Sequence, residues 1–271
     1  MADNRPIGIF DSGLGGLTVA REIIKLLPNE NIVYFGDTGR VPYGTRSRDT
    51  IKKYALQDER FLLSQGVKLI VAACGTVSSV AADTADLLPI PFIEVVSHSV
   101  NAAIDATKNK KIGILATSAT INSSAHKKQI LKLLTDATVV ECSGTLLVPL
   151  VEEGWTGDDD TVALETLKRY LRPIIDAGCD TLILGCTHFP VLSGAIRRVV
   201  GQDVTLINMG VSTALAVKKM LSEQSALNDG ATPPQHRFFA SDKTSAFSKT
   251  VGILIGDQKQ ILIEQADVEN L

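Results

Sequence analysis

Val67-Lys68-Leu69-Ile70-Val71-Ala72-Ala73-Cys74-Gly75-Thr76 and Asp180-Thr181-Leu182-Ile183-Leu184-Gly185-Cys186-Thr187-His188 write one pattern twice. Each is a short apolar run that ends on a cysteine, with a threonine close behind where a helical pattern begins. A continuous apolar run bounded by turn residues reads as a strand buried on both faces, as in a parallel sheet. Parallel strands need crossover connections, and the segments between such runs here carry helical spacing. The two stretches therefore predict an α/β fold. In such folds ligands gather beyond the carboxyl ends of the strands, where both cysteines stand.

Outward from these stretches the alternation continues. Strands are expected over 7–10, 31–35, 68–73, 92–95, 111–116, 137–141, 181–184 and 204–207, with late strands over 236–239 and 260–264. Helices are expected over 17–27, 51–65, 77–88, from the 111–116 strand to about 134, over 158–175, from near 191, and over 212–221. Pro28 and Gly66 act as stop signals. Leu164, Leu167, Leu171, Ile174 and Ile175 fall on one helical face, and Asp158, Asp159 and Asp160 suit the positive end of that helix. Residues 228–235, with Gly230 and Pro233-Pro234, read as a loop. Ile9-Phe10-Asp11-Ser12-Gly13 is echoed by Ile207-Asn208-Met209-Gly210, which suggests two related halves. The expected architecture is two similar α/β domains, each a mostly parallel sheet flanked by helices. Residues 1–96 with 208–271 form the first, and 97–207 the second.

Composition narrows the function classes. The chain has 271 residues, enough for two modest domains. Hydrophobic residues make up 45% and aromatics only 5%, so aliphatic side chains carry the packing, as α/β layers favour. The net charge is −3 and no lysine/arginine block exceeds a doublet, which argues against a nucleic-acid role. No apolar leader and no run of about 18 apolar residues is seen, so a cytoplasmic protein without membrane contact is expected. Four cysteines in a reducing compartment are core filler, metal ligands or catalytic groups. Zinc-type spacings are missing and only four histidines are available, so no metal is expected.

Each candidate residue has a plain reading beside the chemical one. Free cysteine is among the most buried residue types, so Cys74 and Cys186 could be core. Their place at strand ends instead presents them, and two facing thiols would be one-proton bases on opposite sides of a single carbon. A helix start or an adjacent histidine such as His188 can tune a thiol for that work. Cys142 and Cys179 lack this context and read as structural. Asp11-Ser12-Gly13-Leu14-Gly15-Gly16 looks like a dinucleotide turn, but Thr18 stands where the third glycine belongs. Asp11 is either a helix cap or a partner for an ammonium or a proton. Tyr43-Gly44 is a surface loop, or one whose backbone approaches a carboxylate. Thr117 and Thr120 cap a helix or hold an anionic group. Glu152-Glu153 reads as a solvated surface pair.

Together these segments resemble the glutamate racemases of the aspartate/glutamate racemase family. The resemblance rests on Phe10 to Val19, Gly36-Asp37-Thr38 with Val41-Pro42-Tyr43-Gly44, Val148 to Glu152, and Leu184-Gly185-Cys186-Thr187-His188-Phe189-Pro190. It implies two domains with the active site between them, no cofactor, a homodimer, and supply of D-glutamate to peptidoglycan. It implies Cys74 and Cys186 as the two bases, acting on D- and L-glutamate respectively, with Asp11, His188 and Glu152 assisting. It implies substrate contacts from Asp11, Ser12, Tyr43, Gly44, residue 75, Thr76, Thr117, Thr120, Thr187 and His188. The family pattern Cys-Asn-Thr-Ala is here Cys74-Gly75-Thr76-Val77, so one substrate hydrogen bond is missing. Such a loss implies binding weaker by about five- to tenfold. Alternatives are a catalytically impaired amino-acid-binding relative and a racemase of aspartate or a related acid.

Overall fold

In a computed structural model, residues 2–242, 247–255 and 262–269 are described. The chain forms β1 (Ile7–Asp11), β2 (Ile32–Gly36), β3 (Leu69–Ala72) and β4 (Phe92–Glu94), then β5 (Lys111–Ala116), β6 (Thr138–Ser143), β7 (Thr181–Gly185) and β8 (Thr205–Asn208). It ends with β9 (His236–Ala240) and β10 (Ile263–Gln265). Two sheets result, a six-stranded one in the order β10-β9-β2-β1-β3-β4 and a four-stranded one in the order β6-β5-β7-β8. Every ladder among the described residues is parallel. This is an α/β two-domain fold, as the repeated apolar runs predict.

The helices are α1 (Leu17–Leu26), α2 (Arg48–Ser64), α3 (Gly75–Val80), α4 (Val95–Ala106), α5 (Ser118–Ser123), α6 (Ala125–Leu133), α7 (Leu147–Glu152), α8 (Thr161–Asp176), α9 (Ser193–Val200), α10 (Met209–Glu223) and α11 (Phe247–Ile255). Several depart from the sequence reading. The helix expected over 77–88 is α3 followed by a 3-10 turn over 82–87, split at Ala81. The helix expected to run to about 134 is broken at Ser124, which takes a left-handed φ of 53°. There the Ser123 hydroxyl donates to the Thr120 carbonyl and accepts from the Ala125 N–H, the local competition by which short polar side chains interrupt helices. Asp160 alone of the three aspartates caps α8, accepting from the Ala163 N–H at 2.8 Å. Ile175 is 42% exposed and lies off the buried face of that helix. The expected strand over 260–264 is β10 at its described end, with Gln260 and Ile261 outside the described residues.

Helix α4 is the largest element that the sequence reading lacks. Val95-Val96 continues the β-branched character of β4, which hides the helix start. Glu94 overrides it by accepting from the N–H groups of Val96 at 2.5 Å and Ser97 at 2.8 Å. The helix packs on α10 and on β7, so it carries the chain from the first sheet to the second. Asn208 similarly starts α10 early, accepting from the Gly210 N–H at 2.8 Å.

The six-stranded sheet has alternating faces. Ile7 and Ile9 join an apolar cluster that continues through α1 and α10 into the second sheet at Ile112, Ile114 and Leu184. Phe10, Phe35 and Ile70 face a second cluster with Ile51, Ala55 and Leu62 of α2. This two-residue alternation follows from the pleat. At the amino end of the sheet Lys68 is buried, with Nζ 2.7 Å from Glu30 Oε2 and donating to the carbonyls of Asp3 at 2.6 Å and Ala226 at 2.8 Å. Removing one partner of a buried pair strands the other charge, typically at about 3–5 kcal/mol. Lys68→Met should lower the unfolding free energy by about that amount in a urea melt, and adding Glu30→Leu should restore only part of it, because Glu30 Oε1 also accepts from the buried Asn228 N–H at 2.8 Å.

Candidate active site

Parallel strands place their carboxyl ends together, and the candidate residues follow those ends. Asp11 closes β1, Cys74 follows β3 at the start of α3, and Cys186 follows β7. Cys74 is 5% exposed and Cys186 7% exposed. The Cys74 thiol donates to Ser12 Oγ at 3.4 Å. Burial, with the Asp11 carboxylate beside it, pushes this thiol up to about 12, so Cys74 holds its proton at neutral pH. Asp11 Oδ2 accepts from the Gly13 N–H at 3.0 Å, while Oδ1 is buried without a hydrogen-bond partner in the protein. Burial raises the Asp11 carboxyl, and the charge of His188 works against that rise.

The second cysteine sits in a charged chain. Cys186 Sγ lies 3.8 Å from His188 Nδ1, and His188 Nε2 lies 3.3 Å from Glu152 Oε1. The latter is an ion-pair contact without hydrogen-bond alignment. Burial depresses the His188 imidazolium, but Cys186, Glu152 and Asp11 outweigh it and lift it to about 10. Glu152 closes α7 with its side chain 46% exposed, so it joins the buried histidine to solvent. Asp11 and His188 belong to different sheets, and their mutual charge ties the two cysteine environments together.

Backbone contacts bring the turns this close. A Cβ on Gly15 would sit 2.2 Å from Thr187 Oγ1 and 2.5 Å from His188 Cε1, so only glycine lets the first turn lie against the second. A Cβ on Gly75 would sit 2.8 Å from the Gly185 carbonyl oxygen. The missing asparagine is therefore matched by a close approach of the two backbones. On the other flank Thr76 Oγ1 lies 3.4 Å from Thr117 Oγ1, which lies 3.1 Å from Thr120 Oγ1. A Cβ on Gly44 would stand 4.0 Å from Thr76 Oγ1 and 3.9 Å from Ala119 Cβ. Gly44, Thr76, Thr117 and Thr120 thus share one rim drawn from both sheets.

Tyr43 turns its side chain inward. Its side chain is buried and its hydroxyl lies within hydrogen-bond distance of both Asp37 and, at 3.0 Å, Asp58 Oδ2. What this residue can offer a ligand is its backbone. Arg40 completes the cluster, donating to Asp37 Oδ2 at 2.5 Å, to Gln57 Oε1 at 2.5 Å and to Asp58 Oδ1 at 3.0 Å, with Tyr54 under its guanidinium at 4.2 Å. The sequence reading gives no part to Arg40 or Asp58, and uses Asp37 only to carry the resemblance. Their signal, a charged loop opposite a helical aspartate, becomes visible only when α2 folds over the loop. Among the described residues no group of three or more His, Cys, Asp or Glu side chains could hold a metal ion. Nor is any helix there long and apolar enough to cross a membrane.

Two outcomes check this geometry. Overpacking costs about 1–3 kcal/mol, more than the gain of at most about 1 kcal/mol from replacing a helical glycine. Gly75→Ala should therefore lower the unfolding free energy in a denaturant melt. His188 has a folded value near 10 against 6.5 for the free side chain, so native protein binds the extra proton between them. Its stabilising contribution is complete below pH 6.5 and is lost as pH rises towards 10. Urea midpoints measured from pH 6.5 to 9 should fall in the wild type and fall less in His188→Asn.

Comparison with known proteins places the sequence and the fold. Residues 7–218 match the model of the Asp/Glu/Hydantoin racemase family. A glutamate racemase from Neisseria meningitidis serogroup A is 44% identical over 250 residues, covering 92% of this chain and 91% of its own. The crystal structure of glutamate racemase isoform RacE1 from Bacillus anthracis superposes with a TM-score of 0.92 at 36% identity, covering 98% of each chain. Glutamate racemase from Francisella tularensis, solved in complex with D-glutamate, gives a TM-score of 0.91 at 36% identity, covering 99% of this chain and 100% of that one. By sequence and by fold, the chain belongs to the Asp/Glu/Hydantoin racemase family.

Proposed function

We propose that this chain interconverts L- and D-glutamate by two-base proton transfer, without a cofactor. The observation that carries the reading is the placement of two buried cysteines at strand ends of different sheets, Cys74 beside Asp11 and Cys186 beside His188. Relatives solved with D-glutamate and with L-glutamate support glutamate as the substrate.

The protonated Cys74 thiol suits one direction first. For L-glutamate, the Cys186 sulfur takes the α-proton on one face, with His188 beside it. The Cys74 thiol, which holds its proton, delivers that proton to the opposite face and leaves as thiolate. The product is D-glutamate, with the abstracted proton on Cys186 and the Cys74 proton on the substrate carbon. The reverse reaction starts from that state, with Cys74 as base and Cys186 as acid. Asp11 and His188 assist the respective thiols, and Glu152 holds the imidazolium. Ser12, Thr76, Thr187, Thr117, Thr120 and the backbone at Tyr43-Gly44 hold the substrate carboxylates and ammonium. Preorganised donors of this kind stabilise the carbanionic intermediate. In the cell the product would feed peptidoglycan, and the working unit would be a cytoplasmic homodimer.

Circular dichroism of L-glutamate incubated with pure protein tests the reading. The signal should decay to zero, and Cys74→Ser and Cys186→Ser should each lower turnover by about 10²–10⁴-fold, the usual worth of a positioned acid or base. A stable signal with wild-type protein, or a variant that keeps near wild-type turnover, overturns it. Aspartate run in the same assay should be left unconverted.

A further inference from the structure

Thr18, the residue that spoils the dinucleotide pattern, has a place in this site. It lies in the first turn of α1, is 1% exposed, and its hydroxyl is 2.8 Å from the Thr187 carbonyl oxygen and 3.0 Å from that of Gly15. Helix α1 packs on the six-stranded sheet, whereas Thr187 lies between Cys186 and His188 in the turn beyond β7. That turn runs into a 3-10 helix at Phe189–Leu192, in which each carbonyl accepts from the N–H three residues on. The Cys186 carbonyl accepts from Phe189 at 3.1 Å and the His188 carbonyl from Val191 at 3.2 Å. For Thr187 the donor would be residue 190, which is proline and has no N–H. The turn thus lacks one link of its own, and a buried carbonyl left without a donor is costly. The Thr18 hydroxyl supplies the missing donor from helix α1.

We propose that Thr18 is a positioning residue: its hydroxyl fixes the Thr187 carbonyl and thereby aims Cys186 Sγ and the His188 ring. Its contact passes through the peptide between them and touches no reacting atom. Gly15 allows the approach by leaving the space that Thr187 and His188 fill, and Thr18 locks it. Misplacement of a reacting group by about 1 Å costs on the order of 10²-fold in rate, so one hydrogen bond to the turn has leverage. The catalytic half of this inference rests on the racemase reading above, whereas the geometric half does not.

The test compares Thr18→Val, which keeps the shape and removes the donor, with Thr18→Ser, which keeps the donor. Two readouts are taken on the full chain: kcat and KM for both glutamate enantiomers, and the rate at which iodoacetamide labels Cys186 relative to Cys74, by peptide mass spectrometry without substrate. Thr18→Val should lower kcat about 10–100-fold with KM changed less than about threefold, and should alter the Cys186:Cys74 labelling ratio by about threefold or more. Thr18→Ser should stay within about threefold of wild type in both readouts. Pro190→Ala restores an N–H at the position that lacks one, so the double variant Thr18→Val/Pro190→Ala should recover part of each loss. If Thr18→Val does not fold, recovery of folding in the double variant supports the proposal and its failure overturns it. Thr18→Val matching wild type, or Thr18→Ser being as impaired as Thr18→Val, also overturns it. A wild-type protein inert towards glutamate would refute the racemase reading while leaving the labelling contrast as a test of the positioning role.

Discussion

The site depends on two backbones meeting where side chains are missing. Gly15 lies against Thr187 and His188, and Gly75 lies against the Gly185 carbonyl. Both contacts join the carboxyl end of the six-stranded sheet to that of the four-stranded sheet. A side chain at either glycine would hold the two apart by the width of a methyl group or more. Close approach in turn gives Asp11 and His188 their mutual charge effect and lets Thr18 reach the Thr187 carbonyl. Shape at Gly15, Gly75 and Thr18 therefore sets the distance over which the site's charges act.

Burial then sets the protonation of the groups so gathered. Cys74 and His188 are almost equally hidden from solvent, yet their proton affinities have different causes. Cys74 has a neutral neighbour in Ser12 and a negative one in Asp11, so desolvation and repulsion act together to keep the thiol protonated. His188 has acidic or sulfur neighbours on both ring nitrogens, and these outweigh desolvation. One flank is thereby loaded with a neutral acid and the other with a cation beside a sulfur. The asymmetry comes from neighbours rather than from the cysteines themselves.

Behind Gly44 and Thr76 lies a second buried polar group, formed by Asp37, Arg40, Tyr43 and Asp58. Two carboxylates share one guanidinium and one phenol, and Tyr54 closes the guanidinium face. Such a group is stable only when its members are mutually satisfied. It anchors the loop before α2 and so presents Gly44 beside Thr76. Gln57, which accepts from Arg40, also donates to the Glu269 carbonyl at 3.1 Å, which ties the end of the chain to the same support.

Strand positions, the parallel order they imply and the cysteines at their ends were legible in the amino-acid sequence, because apolar runs and turn residues are local signals. Asp11 and His188 were legible for the same reason, each standing within a quoted turn. Helix α4 was not, since its β-branched start is outweighed by a Glu94 cap that only the folded chain brings into place. The direction of the Tyr43 hydroxyl was not either, because Asp58 approaches it from a separate helix. The sequence by itself determined which residues stand at the ends of buried strands. Tertiary structure alone decided which of those ends meet, how close Gly75 comes to Gly185, and why a threonine is useful at position 18. Those outcomes turn on contacts between residues far apart in the chain, and no local pattern encodes the gap that a distant proline leaves for a hydroxyl to fill.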